Sequence, residues 1–542
     1  MRRGCLVLLL GALALSAVAG NRTRSQMRAI ARQQLDNGMT RGGDGLKLST
    51  LYETSALAVI GDTTAGFAVV SRDASQPPVL GVSKRPFSFS ESPAAFRWWL
   101  SEMTARLNTG IPIPTRSVTS VGNFVDTHWD QNDPFNGMCP KDGSTVCPTG
   151  CVATAMSQVM KHYNYPAQGR GTGSYTIGKR ERAYTVSISS AYDWGNMHTT
   201  YRSGGSTGAA AKKAVQQLMY DAGCAVNMNY SSSGSSATNL SAARAMFRNF
   251  SYDSLAIHYL YRKFYSDEEW EHIIYSELAQ QRPIQYGGND SSTGTGHAFL
   301  LTGCDEAGRV WVNWGWGRGV TVGGYDGFFE ISGLKLEGNY FDASHDMVTG
   351  YRPQRNPDNQ DEYTSQWGFD APFRLTVLDD GRLEFSISNF YNLNVLCFQG
   401  MLWYNFRNTV NNQTEQQEML DLQKSIVAPF YGYFPDEGEE LISDTLSLES
   451  LAAGTYEFSI VSQARGENSM TPMRTVGGPQ YATLIKAADG SITIEGQPTS
   501  VTPLHGRQPS PDNRIYGLDG RPQQHDGLPG VYIRNGRKYM RK

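Results

Sequence analysis

Apolar residues recur along the chain in three different rhythms. Between 56 and 71, the runs ALAVIG and GFAVVS stand on either side of Asp62-Thr63-Thr64-Ala65, the pattern of two strands with a hairpin-like connection. Residues 92–107, SPAAFRWWLSEMTARL, predict a helix capped by Ser92 with Pro93 at its first position. Together these make a small α+β module over 20–116. The stretch TGIPIPTRSVTSVG, 109–122, then breaks the rhythm with two prolines, small residues and Arg116, as a linker and processing site would.

The second rhythm occupies 117–350. Helical spacing over Cys151–His162 and Ala209–Ala222 gives way to strand-like RPIQYGG, HAFLLTG, RVWVNWG and DGFFEIS, separated by glycines and turn residues. A helical half followed by an antiparallel half predicts an α+β domain of two facing lobes with a cleft between them. Residues 351–366 read as a linker. From 367 to 497 the third rhythm is strict alternation, clearest around Asp380-Gly381, which predicts a β-sandwich with an Ig-like order of strands. Residues 498–542 are poor in apolar side chains and are expected to be a flexible, sorting-like tail ending in GVYIRNGRKYMRK. No internal repeat stands out.

Composition narrows the function classes. A chain of 542 residues calls for several modules, and a net charge of -3 argues against binding nucleic acid, which needs clustered Lys and Arg. Arg2 and Arg3, an apolar run from Cys5 to Leu15 and Ala17-Val18-Ala19 have the form of a cleaved signal peptide, 1–19. That run is too short to span a membrane, so the expected destination is secretion, to the outside or the cell surface by way of the periplasm. Removing it leaves Cys139, Cys147, Cys151, Cys224, Cys304 and Cys397, without the CxxC pairs or HExxH helix of a metal site. No metal and no organic cofactor is expected.

Cys151 stands behind Gly150 at the head of a helix. Free amides and the positive end of the helix dipole there favour a thiolate and can hold an oxyanion. Taken alone, such a cysteine is more often a small core residue; a partner changes that. His162, on the same helix, lies about 16 Å away at 1.5 Å per residue. His297, in GTGHAFLLTG, is the better candidate for general base and acid: it follows Cys151 by roughly the 130–150 residues that separate Cys from His in papain-like proteases. Asn313, one antiparallel return later, can orient its imidazole, and Trp314 and Trp316 can shield the pair or line the cleft. Gln131, in HWDQNDPFNG, can offer a second oxyanion donor.

These stretches resemble the streptopain family of bacterial cysteine peptidases. The resemblance is carried by WDQNDPFN, GCVATAMSQVMKHYNYP, LMYDAGCAVNMNYSSSGSSA, GHAFLLTGCD and VNWGWGRGVTVGGYDGFFEISGL, over about 123–350. It implies a papain-like fold, a secreted endopeptidase made as a zymogen, Cys151 as nucleophile and His297 as base. It also implies a hydrophobic residue preferred at the second position before the scissile bond, and a cleft bordered by Tyr230, Ser231, Ser235 and Ser236. Residues 20–116 are similar to the family's inhibitory propeptide, which would block the cleft or displace His297 until export is complete. The stretch GGNDSSTGTGH is longer than in streptopain, and the β-rich C-terminal region is absent from it. The tail is similar to those of secreted Bacteroidetes proteins, which implies contact with secretion machinery. Two other readings compete: an amidase or transpeptidase using the same pair, and an adhesin working through the β-sandwich.

Overall fold

A computed structural model describes residues 20–39, 46–201, 207–290, 295–317, 325–331, 345–353, 363–436 and 439–496, with the backbone of four short strands beyond 514. The signal-like segment 1–19 and most of the linker 351–366 lie outside them. In the first module, helix α1 (Arg24–Met39) lays Met27 and Ala31 on a sheet of β1 (Ser49–Glu53), β2 (Leu57–Gly61), β3 (Phe67–Ser71) and β4 (Val79–Ser83). β2 and β3 are buried on both faces, which is why they read as unbroken apolar runs rather than as alternation. Helix α2 (Ala94–Asn108) packs Phe96 and Trp99 against the opposite face from α1. Ser92 does not cap α2: Pro93 occupies the cap position, and the Ser92 hydroxyl bonds Ser88 O at 2.7 Å and the Tyr325 hydroxyl at 3.3 Å.

β4 does not end its sheet. It pairs antiparallel with Gly327–Phe329, Gly81 opposite Phe329 and Ser83 opposite Gly327, so the module's four strands continue into the central domain's sheet to make ten. Gly81 is required there, because a Cβ would stand 2.5 Å from the Phe329 ring. Beyond Gly327–Phe329 the order runs through Val310–Asn313, Thr295–Cys304, Ile284–Asp290, Asp346–Thr349 and His258–Tyr261. The other lobe is helical: α3 (Cys151–Tyr163) packs against α4 (Ala209–Ala225) and α5 (Asn239–Asn249), with Val152, Met156, Val159 and Met160 in one core with Leu218, Met219 and Met246. α3 ends where Asn164 turns into the left-handed region at φ 46°. α6 (Asp267–Ala279) starts with a capping box between Ser266 and Glu269 and covers the sheet. Helices on one side and an antiparallel sheet on the other give the papain-like two-lobed fold.

The C-terminal region is a β-sandwich. The hairpin around Asp380-Gly381 forms, Arg374–Val377 against Leu383–Ile387, with Gly381 at φ +81°. Its strands face a second sheet built on Gly400–Asn408 and Gly454–Ala464, and Phe373, Phe385, Tyr404 and Phe458 fill the space between. The sandwich is fastened to the central domain. Lys263 pairs with Asp370 at 2.6 Å, Arg474 with Glu269 at 2.7 Å, and Tyr391 and Leu393 enter the core beneath the ten-stranded sheet. In the tail, expected to be flexible, Gly530–Arg534 and Arg537–Arg541 pair as antiparallel strands, with Asn535-Gly536 outside the described residues.

Candidate active site

Cys151 is the first residue of α3, and the backbone ahead of it explains the glycine. Gly150 sits at φ +87°, and a Cβ there would meet the Met228 side chain at 2.7 Å. The half-buried thiol lies by the N–H groups of Ala298 and Val152, so the strand Thr295–Cys304 passes beside it, one residue beyond His297. The amides favour the thiolate, as the helix position predicts, but burial outweighs them and raises the thiol above its ordinary range. His297 is turned elsewhere. Its Nε2 is 2.8 Å from the carbonyl of Trp314, its ring stacks on Trp316 at 4.8 Å, and no hydrogen bond joins it to Cys151 among the described residues. Burial lowers its pKa to about 4, partly opposed by the Trp314 carbonyl. Thiol and neutral imidazole are therefore the resting forms; the low thiol pKa expected from the sequence does not hold in this conformation.

The remaining candidates divide into those at the pair and those behind it. Asn313 Nδ2 donates to Thr127 O at 2.7 Å and to Gln158 Oε1 at 3.1 Å, and its Oδ1 accepts from Gly315 N at 3.1 Å, so it fixes the turn that carries Trp314. The imidazole's partner is the Trp314 carbonyl rather than the Asn313 amide. Gln131 is buried, and its carbonyl accepts from Thr149 N at 2.9 Å, two residues before Cys151, while its side-chain amide has no hydrogen-bond partner among the described residues. Ser235 Oγ donates to Pro148 O at 2.7 Å, bringing the loop Ser231–Ser236 to the head of α3. Tyr230 is wholly buried, its ring 5.6 Å from Tyr175, and belongs to the core rather than to an open wall.

Sequence reading passed over two residues. Gln158 is fully buried on α3 and also accepts from Thr127 Oγ1 at 2.9 Å; a glutamine on the apolar face of TAMSQVM was the available signal. Asp326 Oδ1 accepts from Trp314 N at 3.0 Å and its Oδ2 meets His128 Nδ1 at 3.1 Å, so it holds the residue whose carbonyl meets His297. Nothing local in GGYDGFFEIS marked it.

α2 lies over the same strands. Phe96 meets Trp314 edge-on at 6.0 Å, and Trp98 sits against Gly288, the cross-strand partner of His297. The Trp98 ring also lies 5.6 Å from that of His345, tilted by 35°.

The Peptidase C10 family matches residues 129–329. Streptopain of Streptococcus pyogenes is 31% identical over 347 residues, covering 59% of this chain and 83% of streptopain. The chain belongs to the Peptidase C10 family. It is a cysteine-type endopeptidase of streptopain type, with a propeptide ahead of its papain-like domain. The Thiol protease/hemagglutinin PrtT of Porphyromonas gingivalis is 32% identical over 285 residues, 48% of this chain and 32% of that protein. A solved fragment of Prevotella intermedia prointerpain A, 33% identical, superposes with a TM-score of 0.51 over 57% of this chain and 99% of the fragment.

Family membership gives the Trp98–His345 contact a consequence for pH. His345 is 3% exposed, its Nδ1 meets the Tyr286 hydroxyl at 3.1 Å and its Nε2 has no hydrogen-bond partner among the described residues. Burial, then the nearby Arg262, lower its pKa to about 4. If His345 regains its ordinary ~6.5 when Trp98 leaves, docking is fully supported above about 6.5 and weakens as pH falls toward 4. Asp346, raised by burial to about 6, acts in the opposite sense, but its bonds run to Asn239 and Tyr259 and do not depend on Trp98. In a Cys151→Ala chain, protease sensitivity of the propeptide is expected to rise between pH 6.5 and 4.5, and His345→Gln to flatten that rise. An unchanged profile in His345→Gln would assign the response to other groups.

Proposed function

We propose that the chain is exported through residues 1–19 as a zymogen, with 20–116 as inhibitory propeptide and 117–350 as the peptidase. In this reading Cys151 is the nucleophile and His297 its base and acid. The supporting observation is the passage of Ala298 N–H beside the Cys151 thiol, which puts His297, the preceding residue, on the strand that borders the thiol; in this reading its ring leaves the Trp314 carbonyl to reach the sulfur.

Once turned, His297 takes the Cys151 proton and the thiolate adds to the scissile carbonyl carbon. The oxyanion lies at the α3 amides, with Gln131 as second donor. Collapse breaks the C–N bond as imidazolium protonates the leaving amine; water, deprotonated by His297, then releases the acid and the thiol. Asn313 and Trp314 act by holding the turn and shielding the ring. The loop Ser231–Ser236 and Trp316 border the cleft, which takes a hydrophobic residue at the second position before the scissile bond. Residues 351–366 link this domain to the sandwich, 367–497, and the tail from 498 to 542 engages secretion machinery.

A peptide panel varied at that second position, run with and without a competing amine, tests the reading. The expectation is kcat/KM at least ~10-fold higher for Val, Ile or Phe than for Asp or Lys, as an apolar pocket discriminates, with free acid as the main product. Amide as the main product would favour the transpeptidase reading instead.

A further inference from the structure

The segment between the propeptide and the catalytic domain changes its allegiance within three residues. Ile113 is buried in the core beneath α2, its N–H donating to Gln76 Oε1 at 2.9 Å, while Gln76 Nε2 donates to Ile111 O at 3.3 Å. Up to Ile113 the chain is held by the propeptide. Arg116 is held by the other side. Its guanidinium, with a side chain only 8% exposed, forms a two-pronged pair with Glu271 on α6 and lies 3.5 Å from Glu330. From there the chain runs along the catalytic sheet: Val118 N donates to Glu306 O at 3.3 Å, Val121 and Cys304 exchange two bonds at 2.8 Å, and Phe124 N reaches Thr302 O at 3.1 Å. Between the two anchors stand Pro114 and Thr115, both exposed.

We infer that maturation cuts between Pro114 and Arg116, and that Arg116 stays with the peptidase as the anchor of its new N-terminus. This rests on the zymogen reading above and narrows it to two bonds. A cut there divides the two anchors, leaving Ile113 with the propeptide and the Arg116–Glu271 pair with the peptidase, and it frees the Pro114 carbonyl from Arg116 Nη1, which donates to it at 3.2 Å. In the cut, water adds across Pro114–Thr115 or Thr115–Arg116: hydroxyl to the carbonyl carbon and hydrogen to the amide nitrogen, leaving a carboxylate on the propeptide and an ammonium on the peptidase. The arginine that marks this stretch as a processing site is thus a clamp rather than the residue cut after.

The test is N-terminal sequencing of the stable product from the full-length chain as it matures. The Cys151→Ala chain is treated separately with trypsin and with proteinase K. Expected are a wild-type product beginning at Thr115 or Arg116, a proteinase K product of the Cys151→Ala chain ending its trimming at the same place, and resistance of the Arg116–Ser117 bond to trypsin. Arg116→Ala is expected to move the end point downstream, into 117–120. A stable product beginning at Ser117 or later, one retaining Ile113, rapid tryptic cutting after Arg116, or an end point unmoved in Arg116→Ala would each overturn the inference. If the wild-type chain never matures while proteinase K still stops at Thr115 or Arg116, the anchor stands and the self-processing reading fails.

Discussion

A Cys151→Ala chain is expected to fold as the zymogen, stay full length, and hydrolyse peptides more slowly by at least ~10⁴-fold, the scale on which loss of a catalytic nucleophile acts. The substitution is sterically mild, since alanine lacks only the sulfur and the Gly150 turn is untouched. Followed by intact mass beside wild type, the wild-type chain should lose its N-terminal module and gain activity that a thiol alkylator removes. In the resting arrangement alkylation itself should be slow, because burial raises the Cys151 pKa and His297, held near a pKa of about 4, is neutral at pH 7. Alkylation should quicken once the module leaves and His297 can turn to the thiol. A Cys151→Ala chain that matures and cleaves like wild type would remove Cys151 from the mechanism. Equal alkylation rates before and after maturation would instead count against the propeptide as the cause of latency.

Local signals reached some parts of this site and not others. Gly150-Cys151 ahead of an apolar helix and the strand pattern around His297 predicted both lobes and the candidate pair, because each of these signals lies among neighbours within one element. What decides the resting state is non-local. The bond from His297 to Trp314 O, the clamp of Asp326 on Trp314 N and the pairing of β4 with Gly327–Phe329 join residues that only the folded topology brings together. Arg116 shows the same limit. Among prolines and small residues it reads as a cleavage signal, and only the position of Glu271 on α6 reveals it as a tether. Ser92 reads in sequence as the cap of α2, but its hydroxyl bonds Ser88 O and Tyr325, the latter over two hundred residues away. The sandwich hairpin at Asp380-Gly381 was legible because turn chemistry and alternation agree within fifteen residues.

Trp99→Ala should release the propeptide. The ring is buried between the two units, 5.1 Å from Phe329 and 5.7 Å from Phe96, and its Nε1 donates to Glu330 O at 2.9 Å. Truncating a buried Trp costs about 3–5 kcal/mol. With ~1.4 kcal/mol per tenfold, inhibition should weaken by roughly 10²- to 4 × 10³-fold. Maturation of the variant should accelerate accordingly, while kcat/KM of the mature enzyme, which has lost the module, stays at the wild-type value. Trp99→Phe separates packing from the hydrogen bond. It keeps most of the ring and loses the bond to Glu330 O, worth about 1 kcal/mol, so its effect should be roughly tenfold or less. If Trp99→Ala stays latent and matures at the wild-type rate, the helical face is dispensable. Latency must then rest on the backbone pairing of β4 with Gly327–Phe329, which no side-chain truncation at Trp99 would break.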